Sequence, residues 1–145
     1  MGATTGRCMC GAVRFTAGQI GDYGICHCDA CRRWTGSALH AVTVPEAEMR
    51  IDAGGDAIGT IRSSGWASRS FCTRCGAPLW YRLDHGTDGA GDFEVAIGLL
   101  ERVEVPLERE IFVDRKPDCY EIAGDHPRLT EEETWARFGP KSADA

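Results

Sequence analysis

Phe71-Cys72-Thr73-Arg74-Cys75-Gly76 is the stretch on which the fold turns. Two residues between the cysteines let both thiolates converge on one ion, and Gly76 supplies the positive φ that such a turn needs. A structural zinc takes four tetrahedral ligands, usually from two short arms, so a second arm is required. Cys8-Met9-Cys10 fits that need. Two residues apart on an expected strand, its thiols leave one face and do not readily bridge each other as a disulfide. Cys8, Cys10, Cys72 and Cys75 then make a closed four-thiolate site that staples the first strand to a later hairpin. Structural zinc in small peptides is worth on the order of 10 kcal/mol, so this staple contributes several.

Cys26-His27-Cys28-Asp29-Ala30-Cys31 is a different case, with three thiolates and no obvious fourth ligand. Three protein ligands and one open position is the pattern of catalytic zinc. A thiol arriving there is deprotonated by the metal, or the ion polarises a carbonyl oxygen. The competing readings are that Cys119 or His27 closes the site, or that the trio is a set of reduced, metal-free thiols. In an extended segment His27 points away from the face shared by Cys26 and Cys28, which weighs against it as a ligand. Cys119 reads first as a small buried hydrophobe.

Around these arms the 18 glycines cut the 145 residues into short segments, the pattern of strands joined by turns. Val13, Phe15 and Ala17 alternate with polar residues as a half-buried strand does. Further strands are expected over Leu39 to Val44, Ala57 to Ser63, Ser68 to Cys72, Pro78 to Leu83, Phe93 to Leu99 and Glu110 to Val113, giving a mostly antiparallel, mainly β protein. Short helices are expected over Asp29 to Trp34 and over Thr130 to Phe138, where Thr130 and Glu133 form a capping box and Gly139-Pro140 ends the helix. The length suits one domain over residues 1–140, with a flexible tail at 141–145 and a flexible connection from His85 to Asp92.

No apolar run is long enough to span a membrane, and the amino terminus lacks a basic-then-apolar leader, so a cytoplasmic protein is expected. The net charge of -6 argues against a nucleic-acid or anionic-membrane surface. The balance is +3 over residues 1–83 and -9 over 84–145, which favours small anionic ligands in the first half. Without a leader, eight clustered cysteines read as metal ligands rather than disulfides, and no asparagine is present to be glycosylated. No serine triad, phosphate loop or dinucleotide fingerprint appears.

Three motifs carry a resemblance. Gly6-Arg7-Cys8-Met9-Cys10-Gly11-Ala12-Val13-Arg14-Phe15, Cys26-His27-Cys28-Asp29-Ala30-Cys31-Arg32-Arg33-Trp34-Thr35-Gly36 and Phe71-Cys72-Thr73-Arg74-Cys75-Gly76 resemble, in order, those of the glutathione-dependent formaldehyde-activating enzyme (GFA) family, which includes centromere protein V relatives. The resemblance implies an antiparallel β-tent zinc-binding fold with short helices. It also implies a structural zinc on Cys8, Cys10, Cys72 and Cys75 and a second, catalytic-type zinc on Cys26, Cys28 and Cys31. The family's namesake activity joins formaldehyde to glutathione as S-hydroxymethylglutathione and is classed with carbon-sulfur lyases. The chain departs from the pattern at Cys119, where members often carry Trp, and at Glu110, where they often carry His.

The expectation is therefore a zinc-dependent carbon-sulfur lyase-like enzyme acting on a thiol adduct, with two zinc sites, the occupancy of the second left open, and a small thiol such as glutathione as partner. The alternatives are a non-catalytic zinc-stabilised binding module and a thiol redox or metal switch. Arg32 and Arg33 are candidates to hold substrate carboxylates, against the plainer reading of a solvated helix face. Trp34 and Trp66 are candidate pocket walls or core. Asp22, Tyr23, His40 and His85 are candidate acid or base groups among which sequence does not choose.

Overall fold

The computed structural model describes residues 1–83 and 91–139. His85, most of the expected 85–92 connection and the expected 141–145 tail lie outside the described residues. Within them are ten strands: β1 (Thr4–Arg7), β2 (Arg14–Ala17), β3 (Tyr23–Cys26), β4 (Leu39–Val44), β5 (Met49–Ala53), β6 (Ile58–Arg62), β7 (Ala67–Cys72), β8 (Pro78–Leu83), β9 (Phe93–Ala96) and β10 (Leu107–Ile111). Two α-helices join them, α1 (Asp29–Thr35) and α2 (Glu131–Phe138), and short 3-10 turns fill several connections. The protein is mainly β with short helices, as its glycine-punctuated, alternating sequence predicts. None of the described helices is long and apolar enough to cross a membrane.

The chain forms two compact units, each made of two separated stretches: Met1–Asp22 with Ala41–Pro106, and Tyr23–His40 with Leu107–Ala145. In the first unit β1, β2 and β5 lie side by side, and β9 pairs with β4 and β8, β8 with β7, and β7 with β6, every pair antiparallel. The buried positions follow the two-residue period of a strand. Val13, Phe15, Ala17, Val42, Val44, Leu79 and Val95 are all fully buried. Phe15 meets Trp80 edge-on at 5.5 Å, and Trp80 meets Phe93 edge-on at 5.3 Å, a chain of T-shaped contacts that suits the aromatic quadrupole. Gly6 makes this packing possible from β1, because a Cβ there would stand 2.4 Å from the Phe15 ring.

Two expectations are corrected. The strand foreseen from Phe93 to Leu99 stops at Ala96, and Ile97–Leu99 turns into a 3-10 helix around Gly98, a residue poorly suited to a strand interior. The strand foreseen from Glu110 to Val113 instead runs over Leu107–Ile111, and Val113–Arg115 turns into a 3-10 helix. The pairing is mostly antiparallel, as expected, with an exception in the second unit, where β10 lies parallel to β3, with Glu110 opposite Ile25 and Ile111 opposite Cys26. The long chain between those two strands supplies the crossover that a parallel pair requires. β1, β3 and β5 had no sequence expectation, being four or five residues long without a clean alternation.

Helix α2 starts as its sequence predicts. Thr130 Oγ1 accepts the Glu133 N–H at 3.2 Å, while Glu133 Oε1 accepts the Thr130 N–H at 3.0 Å. Truncating the core tests the packing of the first unit: Phe15→Ala lowers unfolding stability by about 3–5 kcal/mol, read by urea titration.

Candidate metal centre

Cys8 and Cys10 do not sit on a strand. β1 ends at Arg7, and the two cysteines occupy a tight turn in which the Cys8 N–H donates to the Val13 carbonyl at 3.1 Å and the Gly11 N–H to the Cys8 carbonyl at 3.1 Å. Gly11 takes φ 80°, which a residue with a Cβ resists. The second arm repeats the construction: the Cys72 N–H donates to Ala77 at 3.0 Å, the Gly76 N–H returns to Cys72 at 2.7 Å, and Gly76 also has φ 80°. Two matched turns thus aim four sulfurs inward, where alternation along a strand had been expected to do so for the first pair.

The sulfurs of Cys8, Cys10, Cys72 and Cys75 all lie within 4.8 Å of one another. Cys8 and Cys10 are 3.6 Å apart, and Cys10 and Cys72 are 3.9 Å apart. Four thiolates about 2.3 Å from a common ion stand about 3.8 Å apart at the corners of a tetrahedron, so the group fits a metal ion and is far outside disulfide length. Electrostatics points the same way. Burial opposes the Cys8 thiolate, but the Val13 N–H and the sulfurs of Cys10, Cys72 and Cys75 outweigh it and lower the pKa to about 6. At Cys10 the Ala12 N–H favours the thiolate, yet desolvation and the neighbouring sulfurs prevail and raise the pKa to about 11. Thiols this close ionise together only around a cation.

The second group lies in the second unit. Cys26 ends β3, Cys28 caps α1 with its sulfur accepting the Cys31 N–H at 3.3 Å, and Cys31 is buried in the helix. Their three sulfurs also lie within 4.8 Å of one another, and no fourth Cys, His, Asp or Glu among the described residues joins them. The sulfurs of Cys28 and Cys31, followed by burial, push the Cys26 thiol strongly up, because a thiolate there is repelled by its neighbours and cut off from water. Cys119 is exposed, not buried as expected, and belongs to neither group. It lies in a turn of the stretch after β10.

His27, between two of these cysteines, is fully buried and bonded elsewhere. Its Nε2 lies 2.7 Å from Glu110 Oε1, and Glu110 Oε2 receives His126 Nε2 at 2.5 Å and Arg128 Nε at 3.1 Å. An ionised carboxylate only accepts, so both imidazoles present Nε2–H to it. Burial opposes the Glu110 charge, but His126 and His27 outweigh it and hold the carboxyl below its usual range. Little in the sequence signals this network, since Glu110 stands out only as a departure from a family pattern. Glu108 bulges out of the β3–β10 pairing, and that extra residue turns Glu110 inward against the alternation.

Of the four candidate acid or base residues, the structure pairs two: Tyr23 Oη stands 2.8 Å from His40 Nδ1. Burial, aided by Glu110, pushes the phenol up, while burial and His27 push the imidazole down. At neutral pH the phenol therefore donates to a neutral ring. Asp22 is exposed. Arg32 is tied to Asp29 at 2.8 Å, whereas Arg33 is exposed on α1. Trp34 and Trp66 are half-buried.

A mainly β chain that gathers its cysteines into one group of four and one of three is equipped to hold two metal ions. The chain belongs to the glutathione-dependent formaldehyde-activating enzyme family, whose sequence profile matches residues 3–115. It is 28% identical over 130 residues to an uncharacterized lyase of Schizosaccharomyces pombe, covering 88% of this chain and 91% of that protein. It is 30% identical over 126 residues to a candidate glutathione-dependent formaldehyde-activating enzyme of Halomonas elongata, covering 81% of this chain and 79% of that protein. The crystal structure of a Rhodobacter sphaeroides protein matches with a TM-score of 0.57 at 22% identity, over 86% of this chain and 98% of that one, a likeness of fold.

Two outcomes follow from the geometry. Cys72→Ser removes one metal equivalent per chain and lowers unfolding stability by several kcal/mol, read by elemental analysis and urea titration. The folded pKa of Glu110 lies below its unfolded value, so its contribution is complete above the ordinary carboxylate range and fades as pH falls through the depressed value. The stability gap between wild type and Glu110→Gln, followed by denaturant titration at a series of pH values, is therefore level near neutrality and narrows in acid.

Proposed function

We propose that this chain is a zinc-dependent carbon-sulfur lyase-like enzyme acting on a thiol adduct such as S-hydroxymethylglutathione. The observation that carries the reading is the asymmetry of the two cysteine groups, four sulfurs in one and three in the other. Soft thiolates in tetrahedral array suit zinc, and a three-thiolate set leaves a position for substrate. Bound there, the ion supplies Lewis acidity, favouring the thiolate form of an incoming thiol or drawing charge from a carbonyl oxygen. In the glutathione case the thiol sulfur bonds to the formaldehyde carbon, the C=O π pair moves to oxygen, and the thiol proton ends on that oxygen. No oxidant or reductant is consumed.

The protein's share is placement. β3 and α1 fix Cys26, Cys28 and Cys31, while Cys8, Cys10, Cys72 and Cys75 hold a structural ion. Arg33, exposed and two residues beyond Cys31, is the better carboxylate contact, because Arg32 is engaged with Asp29. Glutathione and formaldehyde come from the family description and from the name of the Halomonas elongata relative. The reduced thiols suit a cytoplasmic setting.

The test is exchange NMR of labelled formaldehyde with glutathione, beside metal analysis. Wild type accelerates exchange above the spontaneous rate and carries two metals per chain. Cys28→Ser returns exchange to the spontaneous rate with one metal. A Cys28→Ser protein of full activity overturns the reading. Arg33→Gln keeps both metals and raises the KM for glutathione about tenfold, the loss of one charge-assisted hydrogen bond.

A further inference from the structure

We propose that Glu110 is a positioning residue for the Cys26/Cys28/Cys31 centre, acting through His27. The inference rests on the reading that this centre holds the reactive metal. Alternation along β3 puts Cys26 on one face and Ile25 on the other, and His27 continues the face of Ile25. Glu110 stands opposite Ile25 in the β3–β10 register. The carboxylate network therefore lies on the face of the arm opposite Cys26, and Glu110, which does not join the three sulfurs, reaches them through His27.

What it does have is a grip on the arm. The His27 side chain donates to Glu110 Oε1 at 2.7 Å, and the His27 N–H donates to the carbonyl of Ile111, the next residue, at 3.1 Å. Side chain and main chain of the residue between Cys26 and Cys28 are thus fastened to the same two residues of β10. Glu110 is itself immobilised: its N–H donates to Pro127 at 3.0 Å, its carbonyl accepts the Leu129 N–H at 2.9 Å, and its carboxylate takes His126 and Arg128 as well as His27. At 0% and 1% side-chain exposure, His27 and Glu110 meet no competing water. A lone rotation about the Cys26-His27-Cys28 backbone would have to break this pairing inside a dry interior, where the lost hydrogen bonds are not replaced. The sulfurs are held where they are because their neighbour cannot move.

A glutamine at 110 is uncharged and offers one acceptor oxygen, so one of the two imidazoles loses its charge-assisted bond and must face an NH2 group, by changing tautomer or by turning away. Groups that orient metal ligands typically cost 10- to 100-fold in metal affinity when removed. The expected result is that Glu110→Gln binds cobalt at the three-cysteine centre at least about 10-fold more weakly than wild type, with a displaced cobalt-thiolate band, while the four-cysteine group keeps its affinity. His27→Phe, which leaves Glu110 paired with His126 and Arg128, gives the same selective change and serves if Glu110→Gln does not fold. A residue that merely braced the fold would weaken both centres together.

The outcomes separate this inference from the proposed function. Two ions in wild type and an unchanged affinity and band in either folded variant overturn the role of Glu110 and leave the function standing. One ion in wild type removes the reactive centre itself, and both fall. Failure of both variants to fold with the four-cysteine group loaded makes Glu110 a general brace, and the inference fails alone.

Discussion

The repulsion between sulfurs that want to ionise at the same place is the constraint from which the rest of the first unit follows. Cys10 and Cys72 stand 3.9 Å apart although 62 residues separate them in the chain. Holding them there needs two turns of matched geometry, each with a glycine at φ 80° and each closed by main-chain hydrogen bonds around its own cysteine. Burial and mutual proximity spread the thiol pKa values from about 6 at Cys8 to about 11 at Cys10, and a cation among the sulfurs would let them ionise together. The aromatic core of Phe15, Trp80 and Phe93 packs strands from both sides of this junction, so apolar burial and sulfur clustering reinforce one geometry.

The second unit solves a related problem with a different device. Its cysteine arm has three sulfurs, and what stiffens the arm is a buried carboxylate with three cationic or hydrogen-bonding partners. A buried charge is costly unless every lone pair is used, and Glu110 uses both oxygens while its own main chain is fastened at two points. Paired this completely, such a network favours one arrangement over its neighbours more than it adds raw stability.

The cysteine groups were legible in the sequence because their chemistry is local: short spacings alone bring the sulfurs within reach of one ion, although the turn that carries Cys8 and Cys10 was read as a strand. The capping box at Thr130 and Glu133 was legible for the same reason. Features that depend on distant partners were hidden. Nothing in Leu107–Ile111 reveals that Glu108 bulges, yet that one extra residue decides whether Glu110 faces inward. Likewise, the parallel pairing of β3 with β10 depends on residues more than 80 positions apart, and the exposure of Cys119 depends on what the end of the chain leaves uncovered.

The division of the second unit into Tyr23–His40 and Leu107–Ala145 has a consequence in time. The cysteine arm is synthesised before its partner strand, and Glu110 follows His27 by 83 residues, roughly 4 to 17 s at ordinary rates of synthesis. Through that interval three reactive thiols exist without the strand and carboxylate that align them. The nascent chain thus passes through a window in which oxidants and competing metals reach the future centre, and the window closes when β10 is threaded beside β3.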